Sequence, residues 1–192
     1  MRTIPSRARR SLAIAACATA SLLLAGPSLA VAAGASPIAA PKLNVKHPYL
    51  APELTGLDHW INTPQPLTLA SLRGKVVIVD FWTFGCINCQ RTLPHLRALY
   101  AKYHAAGLEI VGVHAPEFGY EQDAANVEKA VTRNKLAWPI AQDNSFATWK
   151  RYQNLYWPAF YFIDKSGRVR HTHDGEGEYD KADQVVAALL AE

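Results

Sequence analysis

Cys86 and Cys89 stand two residues apart at the end of an apolar run, Lys75-Val-Val-Ile-Val-Asp-Phe-Trp-Thr-Phe-Gly-Cys-Ile-Asn-Cys. Where a buried strand gives way to a helix, a pair at this spacing can supply a reactive thiolate and its resolving partner. The first sulfur would sit at the helix N-terminus, where free backbone N–H groups and the helix dipole favour negative charge. The thiolate is the nucleophile, and such a setting lowers a cysteine pKa from about 8.5 to roughly 3.5–7.5. The second sulfur, one helical turn on, can attack a mixed disulfide and release the product. A zinc site competes with this reading but needs four N or S ligands. The one other cysteine, Cys17, lies in a segment expected to be removed, and His171 and His173 are separated by a single residue. A purely structural disulfide would close a longer loop, since a short one removes little unfolded-state entropy. The pair is read as redox-active.

Such chemistry needs a rigid strand before the cysteines and a helix after them. Residues 75–82 form a continuous β-branched run, the pattern of a strand covered on both faces. A helix is expected over 87–103, with Leu93, Leu96, Leu99, Tyr100 and Tyr103 on one face and a kink at Pro94. Residues 108–114 read as a second buried strand, 123–133 as a helix and 138–141 as a short strand. A helix over 145–152 would be capped by Ser145. Residues 158–163 and 169–173 would pair across the turn Asp164-Lys-Ser-Gly167, and 181–190 would close the chain as an amphipathic helix. Alternating apolar residues and the turn signals Thr63-Pro64 and Gln65-Pro66 predict an N-terminal hairpin within 54–72.

The ends define what is left after processing. A basic start with Arg2, Arg7, Arg9 and Arg10, an apolar run over 12–24 and small residues up to Ala33 describe a secretory signal peptide. Sec and twin-arginine routes both fit Arg9-Arg10, so the chain is expected in the periplasm or otherwise exported. The expected organisation is signal peptide 1–33, Ala/Pro-rich linker 34–52 and one domain over 53–192. The apolar run is short for a spanning helix, so no stable membrane insertion is expected after processing. The whole sequence holds 20 Lys+Arg against 16 Asp+Glu. The four arginines before Ala33 account for the excess, so the remaining chain is formally neutral and nucleic acid is not an expected partner.

The run Val79-Asp-Phe-Trp-x-x-x-Cys-x-x-Cys, with Pro94 five residues after the second cysteine, resembles thioredoxin. The exported start, the insert over 116–152 and Trp157-Pro-Ala-Phe-Tyr-Phe-Ile-Asp-x-x-Gly resemble the TlpA/ResA branch of that family. Phe81-Trp-Thr-Phe-Gly-Cys-Ile-Asn-Cys-Gln-Arg-Thr-Leu-Pro, Val113-His-Ala-Pro-Glu-Phe and Gly175-Glu-Gly are similar to the soluble thioredoxin-like portion of DipZ-type proteins. The resemblance covers about 52–190. It implies an α/β, thioredoxin-like fold: a central mixed sheet flanked by helices, with a TlpA/ResA-type insert beside the N-terminal hairpin.

The resemblance assigns proton transfer at the second sulfur to Asp80, and a carboxyl ending a buried strand has the raised pKa that suits this. It places Pro158 opposite the CxxC in the cis form, beside backbone that a substrate chain can pair with. Trp157 before it would shape the substrate groove, and Trp82 would pack beside the thiols and help bind substrate. Where TlpA/ResA-type sequences often carry a selectivity-determining Glu, this chain has Thr92; Glu117 is the nearby acid.

Two functions fit. One is an exported thiol–disulfide oxidoreductase that reduces protein disulfides, fed by a membrane electron donor and serving cytochrome c maturation or extracytoplasmic thiol homeostasis. It would need no cofactor and no metal. The other is a thioredoxin-fold copper chaperone, with two Cys and a distant His as soft ligands. A peroxidase ranks below both, on the reading that the Thr-x-x-Cys pattern is lacking.

Overall fold

The computed structural model describes residues 41 and 43–192. The expected signal peptide and the first part of the expected linker lie outside the described residues. Along the chain run β1 (Tyr49–Leu50), β2 (Asp58–Ile61), β3 (Val76–Trp82), α1 (Ile87–Tyr103), β4 (Leu108–His114), α2 (Ala124–Arg133), β5 (Ile140–Gln142), α3 (Ala147–Arg151), β6 (Ala159–Ile163), β7 (Arg168–Asp174) and α4 (Tyr179–Ala191). Among the described residues one mixed sheet forms in the order β1-β7-β6-β3-β4-β5-β2.

β3 and β4 are buried along their whole length, as their mostly apolar runs require, with Asp80, Glu109 and His114 the polar residues buried among them. β3 runs parallel to β4, with Asp80 beside Gly112 and Trp82 beside His114. On its other side β3 pairs antiparallel with β6, with Asp80 beside Phe160. Alternation along β3 divides the core. Val76, Ile78 and Trp82 join Leu93, Leu96 and Leu99 of α1 and Val185 and Leu189 of α4. Val77, Val79 and Phe81 face the opposite layer with Leu54, Leu72 and Tyr152, and Trp149 of α3 packs on it. Helices therefore cover both faces, and the cysteines enter α1 from the end of the central strand.

Three local expectations change. The N-terminal hairpin does not form: β1 pairs with β7 and β2 with β5, at opposite edges of the sheet. Strands of two and four residues have too few cross-strand partners to hold each other, and each takes a longer-range edge instead. The segment between them and β3 is tied by Glu53, whose carboxylate accepts the N–H groups of Leu69 and Ala70. The sheet also starts inside the expected linker, since the Val45 N–H reaches the Arg170 carbonyl and Tyr49–Leu50 is a strand. Finally, α3 is capped by Asp143 rather than Ser145. Asp143 accepts the Ala147 and Trp149 N–H groups at 2.7 Å each, while Phe146 turns the chain with φ +57°.

Candidate active site

The loop Thr83-Phe-Gly85 carries the chain from β3 into α1, and Cys86 is the N-cap of that helix. Cys86 is half-buried and Cys89 fully buried, both as free thiols. The Cys89 N–H points to Cys86 Sγ at 3.2 Å. Cys86 has its pKa lowered to about 7, first by a hydrogen bond from the Cys89 thiol, then by the Cys89 and Asn88 N–H groups, against partial burial and the charge of exposed Glu117. Burial pushes the Cys89 thiol far up, and its donation to Cys86 adds to this. One CxxC thus holds one easily ionised sulfur and one that keeps its proton.

Asp80 is 1% exposed and neither carboxyl oxygen has a hydrogen-bond partner among the described residues. Burial, then the negative charge of Cys86, raises its pKa to about 8. An unpartnered buried carboxyl is costly to ionise. It is therefore mostly protonated near neutral pH, and loss of the negative charge at Cys86 removes the smaller of the two causes while burial remains.

The Trp157–Pro158 bond is cis. Trp157 is half-buried; its Nε1–H donates to the Ala115 carbonyl at 3.0 Å, and the Ala115 N–H donates to the Trp82 carbonyl at 3.0 Å. Trp157 is thereby anchored beside the strand end that carries the CxxC. Trp82 does not meet the expectation of a substrate contact. At 1% exposure it offers no surface, and its indole lies in the core with Cys89, edge-on to His114. Thr92 is buried and its hydroxyl donates to the Cys89 carbonyl at 2.7 Å. It is satisfied within the helix and replaces no acid.

The histidines are not gathered. His171 and His173 line a small pocket with Leu96, Leu99 and Phe162. His114 ends β4, separated from β7 by the two strands β3 and β6. Among the described residues no group of three His, Cys, Asp or Glu is placed to hold a metal ion. Thr83 stands three residues before Cys86, so the Thr-x-x-Cys spacing of a peroxidase is present after all. Its hydroxyl pairs with His114 Nε2 at 3.2 Å. Sequence reasoning also passed over Glu121, a fully buried acid whose Oε1 accepts the Gly85 N–H at 2.9 Å. Its only sequence signal is an acid next to the Gly119-Tyr120 turn, which reads as solvated loop.

A central parallel strand pair, a CxxC capping the following helix and a cis-proline before the next sheet strand define a thioredoxin-like protein. The chain belongs to the AhpC/TSA family, whose profile matches residues 48–172. It is 49% identical over 142 residues to Protein DipZ of Mycobacterium tuberculosis, covering 73% of this chain and 20% of DipZ, so it spans a fifth of that protein's length. It is 30% identical to the thiol-disulfide oxidoreductase YkuV of Bacillus subtilis, over 73% of this chain and 94% of YkuV. A thioredoxin-like protein solved in its oxidised form superposes with a TM-score of 0.68 at 29% identity, covering 75% of this chain and 96% of the other.

Proposed function

We propose that the chain is an exported thiol–disulfide oxidoreductase that reduces protein disulfides. The observation that carries this is the asymmetry of the two sulfurs, an acidic half-exposed Cys86 in contact with a buried Cys89 that holds its proton. Cys86 thiolate attacks a substrate disulfide, forming the Cys86–substrate bond and expelling the first substrate thiolate, which takes a proton from water. Asp80 first loses its proton to solvent. The ionised carboxylate then takes the Cys89 proton, and Cys89 attacks Cys86 and expels the second substrate thiolate, which is protonated by water. The products are a reduced substrate and a Cys86–Cys89 disulfide. In the mixed disulfide Cys86 carries no charge, so one of the two causes that hold Asp80 protonated is gone when a base is needed. Regeneration takes two electrons from a donor, which for an exported chain is a membrane thiol carrier. Cytochrome c maturation and extracytoplasmic thiol homeostasis are the roles this chemistry fits.

Substrate would approach over exposed Ile87, next to Cys86, and over exposed Tyr120 and Phe118, the first packed on Phe84 and the second on Tyr120. Half-buried Trp157 would border the approach, with buried Pro158 turning the chain behind it. Copper handling is the competing reading, and it is disfavoured because among the described residues no third His, Cys, Asp or Glu is grouped with the two cysteines to hold a metal ion. Reduced protein is expected to reduce insulin disulfides in stoichiometric amount. In competition with a chromophoric chelator it should bind Cu(I) no better than an ordinary CxxC thioredoxin. A tight 1:1 Cu(I) complex that depends on His171 or His173, with insulin left intact, would favour the copper reading. Consumption of hydrogen peroxide faster than of insulin would favour the peroxidase.

A further inference from the structure

The three residues before Cys86 are each held by a buried polar side chain from outside the CxxC helix. Glu121 lies in the insert at 0% exposure. Its Oε1 accepts the Gly85 N–H at 2.9 Å, and its Oε2 accepts the N–H groups of Glu117 at 2.6 Å and Phe118 at 2.9 Å. Three amide donors replace the water that a buried carboxylate would otherwise lack. His114 is equally buried; its Nε2 lies 3.2 Å from Thr83 Oγ1 and 3.4 Å from the Phe84 N–H. Its ring also stacks on Phe84, with centroids 5.5 Å apart. Burial lowers the His114 pKa to about 4, so the ring is neutral at physiological pH, and with its proton on Nδ1 it accepts from both residues. The approach is close: a Cβ at Gly85 would collide with Glu121 Oε1, so a side chain there would displace the carboxylate from its three amide donors.

None of these groups reaches the sulfurs, yet together they fix the path of residues 83–85 into the helix N-cap. We infer that Glu121 and His114 are positioning residues that hold this loop, and through it set the reactivity of Cys86. The inference rests on the oxidoreductase reading of the same site. Glu121 also fixes the backbone of Glu117, the exposed carboxylate that opposes negative charge at Cys86, so its removal would act in two directions at once.

The test therefore starts from a Glu117→Gln chain and reads the pH profile of Cys86 alkylation by iodoacetamide, with mono-alkylated product identified by mass. Adding Glu121→Ala should move the midpoint upward by about one unit and so slow the reaction about tenfold at pH 6, where the rate follows the thiolate fraction. Adding Glu121→Gln, which keeps an oxygen for Gly85, should restore most of the rate. His114→Leu should behave as the Ala variant and His114→Gln as the rescue, which decides the matter if Glu121→Ala does not fold. Folded variants that melt at lower temperature but alkylate with the parent's rate and midpoint would overturn the inference and leave a purely structural role. An unreactive Cys86 in the unmodified chain would instead remove the proposed function itself.

Discussion

Replacing Cys86 by serine is expected to abolish disulfide reduction, by at least about a thousandfold, as removal of a covalent nucleophile does in other enzymes. Replacing Cys89 by serine is expected to trap substrate on Cys86 as a mixed disulfide that dithiothreitol releases. The contrast follows from placement. Cys86 caps α1 and is half-exposed, with a pKa lowered to about 7, so a large fraction is thiolate at neutral pH. Cys89 is buried one turn into the helix, and burial keeps its proton on. A serine hydroxyl at position 89 can still donate to Cys86, so attack survives while resolution does not. Alkylation rate against pH on each single variant checks the assignment. If the thiol of Cys86→Ser is the faster and more acidic one, the roles are reversed.

The second large effect belongs to Asp80. Asp80→Asn should slow resolution of the mixed disulfide about a hundredfold at pH 7, the usual scale for losing a positioned base, while the first attack by Cys86 is little changed. Rapid-quench trapping of the mixed disulfide separates the two steps. Stability should move in the opposite sense. The folded pKa of Asp80 is raised from 3.8 to about 8, so between these values the unfolded chain releases a proton that the folded chain keeps. Stability from this group is full below pH 3.8 and is lost as pH rises toward 8. At about 1.4 kcal/mol per unit, the loss by pH 7 is of the order of 4 kcal/mol. Urea denaturation of the reduced chain between pH 4.5 and 8.5 should show that decline in the wild type and not in Asp80→Asn. Equal slopes would mean that Asp80 ionises in the fold as readily as in water.

The elements that carry the cysteines were legible because their signals are local. β3 and β4 are mostly apolar runs, and the bounds of α1 coincide with the expected helix, which starts right after Cys86. What was not legible depends on partners far along the chain. β1 and β2 are two and four residues long and take their places from β7 and β5. Ser145 looked like the helix cap, but Asp143 reaches both free amides once Phe146 turns left-handed. Trp82 has the composition of a groove aromatic, yet alternation along β3 sends it inward with Ile78. Glu121 meets Gly85 across 36 residues, and no periodicity signals a carboxylate that acts through backbone amides.

Reduction of substrate disulfides requires that Cys86 and Cys89 form a reversible dithiol–disulfide couple. No cation lies among the causes of Cys86 acidity, and Glu117 opposes it, so the reduced form lacks the strong thiolate stabilisation that makes an oxidant. Equilibration in dithiothreitol or glutathione buffers, followed by tryptophan fluorescence and alkylation mass, gives the potential directly. The expected value lies nearer about −270 mV, the thioredoxin range, than about −120 mV, that of DsbA. A value at the DsbA end would make the protein an oxidase or isomerase instead, and failure to form the Cys86–Cys89 disulfide at all would rule out dithiol–disulfide chemistry at this site.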